Sequence, residues 1–261
     1  MTEPVTEPVT VGILYPGYSA EDDFPRLAYL LGEGFALPLH HTVMVEDAHR
    51  ADALLDWGRD DRLADGAAAL APQSPDSVVW ACTSGSFVYG WDGAHRQADA
   101  LAQASGLPAS STSLAFARAA QTLGVRRIAV VATYPEDVTE LFAAFLADAG
   151  LEVVSTTSRD IFTAAEVGTL PRPQLLEMAA AGAHPDADAL MMPDTALHTA
   201  DHLDALEGHV GKVVLTANQV SAWEGLRLLD RQPSRPGLGT LFRSPAGTYG
   251  IAGPDTTEAA R

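Results

Sequence analysis

One cysteine stands in the 261-residue sequence, Cys82, and its setting decides whether it is more than a small buried hydrophobe. It closes the apolar run SVVWAC (Ser77–Cys82) and is followed by Thr83-Ser84-Gly85-Ser86. A sulfur at the end of a buried strand and the start of a helix meets free N–H groups and a positive dipole end. Both favour a thiolate and both bind carboxylates. Thr83, Ser84 and Ser86 add hydroxyl donors. Asp194 ends another apolar run, DALMMPD, just before Thr195-Ala196. As an N-cap it would only start a helix; across a cleft from Cys82 it would serve as acid or base. Tyr134 ends a third run, RRIAVVATY, and can offer its phenol to a carboxylate or enolate, or simply pack with a wet tip.

Other chemistries lack their residues. Asp194, His198, Asp201 and His202 have helical spacing for a metal, but no third ligand is indicated, so no metal is expected. The glycines of Gly12–Gly17 do not form GxGxxG and no GxxxxGK[ST] occurs, which removes the dinucleotide and P-loop motifs. Lone Cys82 permits neither an internal disulfide nor a cysteine cluster. The formal charge of −18 repels a nucleic-acid backbone, so no nucleic-acid partner is expected. An anionic substrate then needs local donors. No apolar run reaches the roughly 18 residues of a membrane span and no secretory signal is visible, so a cytoplasmic protein without membrane contact is expected. Oligomeric state is not legible.

These residues need elements to hold them. Val9–Tyr15 reads as a strand ending at Pro16-Gly17, about 21–34 as a helix, Leu39–Asp47 as a second strand and Asp52–Leu70 as one Ala-rich helix. The strand ending at Cys82 leads into another helix. The pattern restarts with a helix near Leu114–Leu123, a strand at Arg126–Tyr134, a helix at Glu136–Ala149 closed by Gly150, and a strand at Leu151–Ser158. A helix near Pro173–Ala181, strands at Asp188–Asp194 and Lys212–Asn218 and a helix at Val220–Asp230 complete it. Strands alternating with helices predict parallel sheets in an α/β fold. VGILYPG and IAVVATYP lie about 117 residues apart, and WACTSGS and MPDTALH about 112 apart. Two similar Rossmann-like halves related by a pseudo-twofold axis follow, residues 1–113 with 219–261 and residues 114–218, with a cleft at the carboxyl ends of their strands. The first eight residues and the Pro/Gly-rich stretch 231–261 read as extensions, either laid on a surface or flexible.

WACTSGSFVYG resembles the first cysteine motif of the maleate isomerase and arylmalonate decarboxylase branch of the aspartate/glutamate racemase superfamily. STSLAFARAAQTLGVRRIAVVATYPEDVTELFAAFLADAGLEV, from Ser111, resembles the central segment of arylmalonate decarboxylases. MMPDTALHTAD resembles their second cysteine motif and ANQVSAWEGLRLL their penultimate helix. The resemblance spans about Val11 to Asp230. It implies a cofactor-independent enzyme acting on a small carboxylate, with reacting groups at two quasi-symmetric positions. Cys82 would hold the first, as nucleophile or proton carrier, and Asp194 the second, where relatives carry a thiol. Thr83, Ser84, Tyr134, Thr195 and Ala196 match positions that hold a substrate carboxylate or enediolate, and Pro16 belongs to the loop after the first strand, which in maleate isomerases carries an asparagine. The leading expectation is a maleate cis-trans isomerase-like enzyme using the Cys82 thiolate. An arylmalonate-type decarboxylase, an amino-acid or hydantoin-type racemase and a non-catalytic carboxylate-binding protein are the alternatives.

Overall fold

A computed structural model describes residues 8–243; the expectations for the first residues and for the chain beyond 243 fall outside them. The elements in chain order are β1 (Val9–Pro16), α1 (Asp23–Leu31), β2 (Phe35–Ala36), β3 (Leu39–Thr42), α2 (Ala51–Trp57), α3 (Asp60–Leu70), β4 (Ser77–Trp80), α4 (Ser84–Phe87), α5 (Gly90–Ser105), β5 (Ala109–Ser111) and α6 (Thr112–Thr122). Then follow β6 (Arg127–Ala132), α7 (Glu136–Asp148), β7 (Glu152–Ser158), α8 (Ala164–Val167), α9 (Arg172–Gly182), β8 (Ala189–Met192), α10 (Leu203–Val210), β9 (Val213–Thr216) and α11 (Ala217–Arg227).

Two parallel sheets form. In the first, β1 pairs with β4 and β4 with β5, while β2 and β3 pair with successive stretches of β1. β2 and β3 thus act as one edge strand interrupted at Leu37-Pro38. The second sheet runs β7-β6-β8-β9. Each half therefore places its second strand at one edge, then its first, third and fourth. The register repeats as well: Ile13 faces Val79 in the first sheet, and Val130 faces Met191 in the second. These pairs are separated by the same offsets, about 117 and 112 residues, that the sequence motifs show.

Fully apolar central strands fit sheets covered on both faces. Every residue of β4 and β8 is buried, and β1 is buried from Thr10 to Pro16. Helix α1 packs through Phe24, Leu27 and Leu31, one face at helical spacing. Helix α11 crosses back to the first sheet, where Ser77 Oγ donates to Gly225 O at 2.9 Å. A Cβ on Gly225 would lie 2.1 Å from Val11 Cγ1, so only glycine permits this approach. Helices α6 and α11 meet along the pseudo-twofold axis, where the hydroxyls of Thr112 and Ser221 are 2.6 Å apart. Glu224 is wholly buried there between Arg118, which donates to it, and Arg227, at 2.6 Å.

Two expectations change and one strand is new. Asp52–Leu70 is two helices, broken at Gly58-Arg59, because Gly58 packs against Gly85, where a Cβ would come 2.2 Å from a backbone oxygen. The strand from Leu39 ends at Thr42, and residues 43–50 leave the sheet to reach the second half. Asp47 caps α8, accepting from Ala164 N at 2.7 Å and Ala165 N at 3.0 Å, and His49 N donates to Phe162 O at 2.7 Å. Strand β5, Ala-Ser-Ser, carries too little apolar signal to be read from sequence. Of the C-terminal stretch, the described part is laid on the surface: Gln219 Nε2 donates to Leu238 O at 2.7 Å, and Leu238, Leu241 and Phe242 are buried.

Candidate active site

Strands β4 and β8 occupy the same place in their sheets, and each delivers one candidate group two residues beyond its end: Cys82 after β4, Asp194 after β8. Thr83, Ser84, Tyr134, Thr195 and Ala196 gather around them, all 6% exposed or less. The site is enclosed. A surface cavity of about 640 Å3 opens elsewhere, lined by Val9, Thr10, Asp76 and Arg231 at the amino end of β1, away from both groups.

Cys82 Sγ accepts the Gly85 N–H at 3.2 Å and lies 3.9 Å from Ser84 Oγ. A Cβ at residue 85 would stand 3.0 Å from the sulfur, so glycine lets the amide approach it closely. The expected thiolate is not what this setting favours. Burial pushes the thiol up to about 12; the Gly85 and Ser84 contacts pull it down only partly, and the charge of Asp194 adds to the rise. Helix α4, only one turn long, brings too little dipole to offset desolvation. This burial favours the thiol over the thiolate. Beside it the Thr83 hydroxyl is wholly buried and makes no hydrogen bond of acceptable geometry, although it stands near the Tyr134 phenol. Its carbonyl is fixed: Ser113 Oγ donates to Thr83 O at 2.7 Å.

Asp194 is held otherwise. Its Oδ1 accepts the Ala196 N–H at 2.9 Å, and its Oδ2 accepts the Thr133 hydroxyl. His49 Nε2 lies 3.9 Å from Oδ2. The His49 ring is buried, 2.9 Å through Nδ1 from Ile161 O and edge-on to Tyr134 at 4.9 Å. A carbonyl only accepts, so Nδ1 carries a proton and Nε2 is the nitrogen turned to Asp194. Tyr134 donates to Pro193 O at 2.9 Å; burial foremost, then the nearby Asp194 and Cys82 charges, raise its pKa well above the ordinary phenol value. Thr195 O accepts from Tyr15 Oη at 3.0 Å and Asn218 Nδ2 at 3.1 Å. Pro16 is buried at the end of β1, but the neighbouring Tyr15 makes the polar contact there.

His49, Thr133, Ser113, Asn218 and Tyr15 were not singled out from sequence. Ser113 and Asn218 follow the helix-capping residues Ser111 and Thr216 at matching steps, a signal the internal repeat contained. His49 sits in an irregular segment, EDAHR, with no pattern to mark it. Of the spaced residues after Asp194, His198 Nε2 lies 2.8 Å from Asp22 Oδ1 and Asp201 accepts from Arg26 at 2.5 Å.

A family model described as arylmalonate decarboxylase matches residues 58–242. Arylmalonate decarboxylase of Bordetella bronchiseptica is 28% identical over 245 residues, covering 89% of this chain and 96% of that protein. Maleate isomerase of Nocardia farcinica is 26% identical over 185 residues, 67% of this chain and 72% of that one. In structure, the maleate isomerase Iso of Pseudomonas putida S16 superposes with a TM-score of 0.83 at 22% identity, covering 93% of this chain and all of that one. Its two-sheet α/β architecture is therefore shared with enzymes of both kinds, and the chain belongs to the arylmalonate decarboxylase family.

Proposed function

We propose that this protein is a cofactor-independent enzyme that anchors a small carboxylic acid on the Thr83–Ser84 turn and works at its α-carbon through Cys82. The observation that carries this reading is the Thr83 hydroxyl, a wholly buried donor without a hydrogen-bond partner, beside the single cysteine. A buried hydroxyl left unpaired costs about 1–3 kcal/mol, which an acceptor oxygen of the substrate recovers. Asp194 and His49 stand by the second turn, and the polar groups of the Thr83–Ser84 turn are neutral hydroxyls and backbone amides. They suit a preorganised hole for developing oxyanion charge.

Decarboxylation of a malonate-type acid is the reaction this geometry supports best. The bond from the α-carbon to one carboxyl breaks and carbon dioxide leaves. Its electron pair passes into the anchored carboxylate as an enediolate, Cys82 gives its proton to the α-carbon, and the thiolate recovers a proton from water. An acid must hold its proton until then, and burial keeps the Cys82 thiol un-ionised. Isomerisation of a cis-dicarboxylate is the second reading, supported by the Gly85 N–H aimed at Sγ, which stabilises a thiolate when one forms. There the sulfur adds to the double bond, the adduct rotates about the former double bond, and the sulfur leaves. Incubation with phenylmalonate and with maleate, followed for carbon dioxide and fumarate, separates the two. No turnover of either, together with a Cys82 alkylated only after denaturation, overturns both.

A further inference from the structure

The two turns are alike in backbone placement and opposite in state. On the first, Thr83 Oγ1 is buried and unpartnered, and the Ser84 amide finds no acceptor among the described residues. On the second, the Ala196 amide, two residues after Asp194 as Ser84 is after Cys82, already donates to a carboxylate, the side chain of Asp194 itself, at 2.9 Å. The other oxygen of that carboxylate takes the Thr133 hydroxyl and faces His49. A carboxylate thus takes the amide in the second half, whereas the Thr83 hydroxyl and the Ser84 amide of the first half are untaken.

We propose that Asp194 is a built-in carboxylate that fills the second turn, so that the enzyme holds its substrate by one carboxylate only, on the Thr83 side. The selected class is an acid whose second carboxyl, if it has one, sits on the same carbon and is not anchored. A diacid long enough to bridge both turns finds the second one occupied and meets a like charge. A geminal carboxyl near Asp194 gains instead by leaving as neutral carbon dioxide, since that relieves the repulsion. The proposal rests on the reading of the Thr83–Ser84 turn as the anchor.

Binding of two inert acids, propionate and succinate, tests it without turnover. Titration calorimetry on the full chain is expected to find succinate bound no more tightly than propionate. Asp194→Ala, which frees the Ala196 amide and removes the charge, is expected to tighten succinate at least tenfold while propionate moves less than threefold. Asp194→Asn keeps an acceptor for the amide and removes only the charge. It is expected to tighten succinate about threefold, and it carries the test if the alanine variant does not fold. A succinate-to-propionate ratio equal in all three proteins, or wild-type succinate tenfold tighter than propionate, overturns the proposal while leaving the anchor intact. Propionate that binds to none of them overturns the anchor and the proposal together.

Discussion

The first half ends its third strand in a thiol and the second half ends its third strand in a carboxylate, yet the strands beneath them share order and register. Each turn carbonyl is also pinned by the second residue of a helix, Thr83 O by Ser113 and Thr195 O by Asn218. The difference begins at the side chains that line the cleft. Cys82 has one amide contact and an unpaired hydroxyl for a neighbour; Asp194 has both oxygens engaged and a buried histidine beside it. A duplicated frame can therefore serve an asymmetric reaction, because the frame fixes where the two groups stand while a few side chains fix what they do. The first half leaves a buried donor untaken, and the second has its donors engaged by its own carboxylate.

Removing the thiol should break this comparison most severely. Cys82→Ala is expected to lower kcat by about 10²–10⁴-fold, the usual worth of a positioned proton donor, on whichever of phenylmalonate or maleate is turned over. The melting temperature should change little, because a methyl group still fills most of the space. A loss below tenfold would falsify the role of Cys82 in the chemical step.

The ionisation of that thiol sharpens the same contrast. Its pKa is pushed up to about 12, first by burial, so at neutral pH only a trace is thiolate. Alkylation of Cys82 by iodoacetamide needs the thiolate and is expected to rise close to tenfold per pH unit from pH 7 to 10 without levelling. Asp194→Asn removes a charge that raises the thiol, and so should increase the rate at each pH. Mass spectrometry of the Cys82 peptide reads both; a plateau below pH 9 contradicts the buried, un-ionised thiol.

What sequence reveals here is the frame and the places of Cys82 and Asp194 in it. Val9–Tyr15, Ser77–Cys82, Arg126–Tyr134 and Asp188–Asp194 are apolar runs that end in polar turns, so strand, direction and site all lie in one local pattern. The environment of those positions does not. His49 comes to Asp194 through a segment that leaves its sheet after Thr42, and nothing local in EDAHR encodes its bonds to Ile161 and Phe162. The helix-start setting of Cys82 suggested a thiolate, but degree of burial belongs to the assembled core and outweighs a single helical turn. Strand β5 escaped for a related reason, since Ala109–Ser111 takes its place from pairing with β4 and not from its own apolarity.

The helices exchanged across the axis offer a stability test of the two-half frame. Arg118 on α6 reaches Glu224 on α11, and Arg227 completes the pair on the wholly buried carboxylate. Arg118→Ala leaves Glu224 with one partner and is expected to cost about 2–3 kcal/mol, less than the 3–5 typical of a buried charge left alone. Arg118→Ala with Glu224→Gln should recover part of the loss. Urea denaturation of the single and double variants measures both, and a single variant within about 0.5 kcal/mol of wild type rules out the clasp as a source of stability.

The two carbonyl pins give the smallest effects and the finest comparison. Asn218 donates to Asp23 Oδ2 at 3.0 Å as well as to Thr195 O, and that carboxylate, shared with the amides of Thr199 and Ala200, is buried. Ser113 has one recorded bond, to Thr83 O. Asn218→Ala should therefore destabilise by about 2–3 kcal/mol, the range for bonds that involve a buried charge, and Ser113→Ala by about 1 kcal/mol. Function should rank them the other way. Thr83 O belongs to the turn proposed to anchor the substrate, so a loosened Ser113 contact would displace that anchor, whereas Thr195 belongs to the turn whose amide Asp194 already takes. Ser113→Ala is expected to raise KM several-fold more than Asn218→Ala does at matched folded fraction. Equal KM effects would mean that both turns bear on the substrate alike, and the asymmetry of the halves would then stop at Cys82 and Asp194.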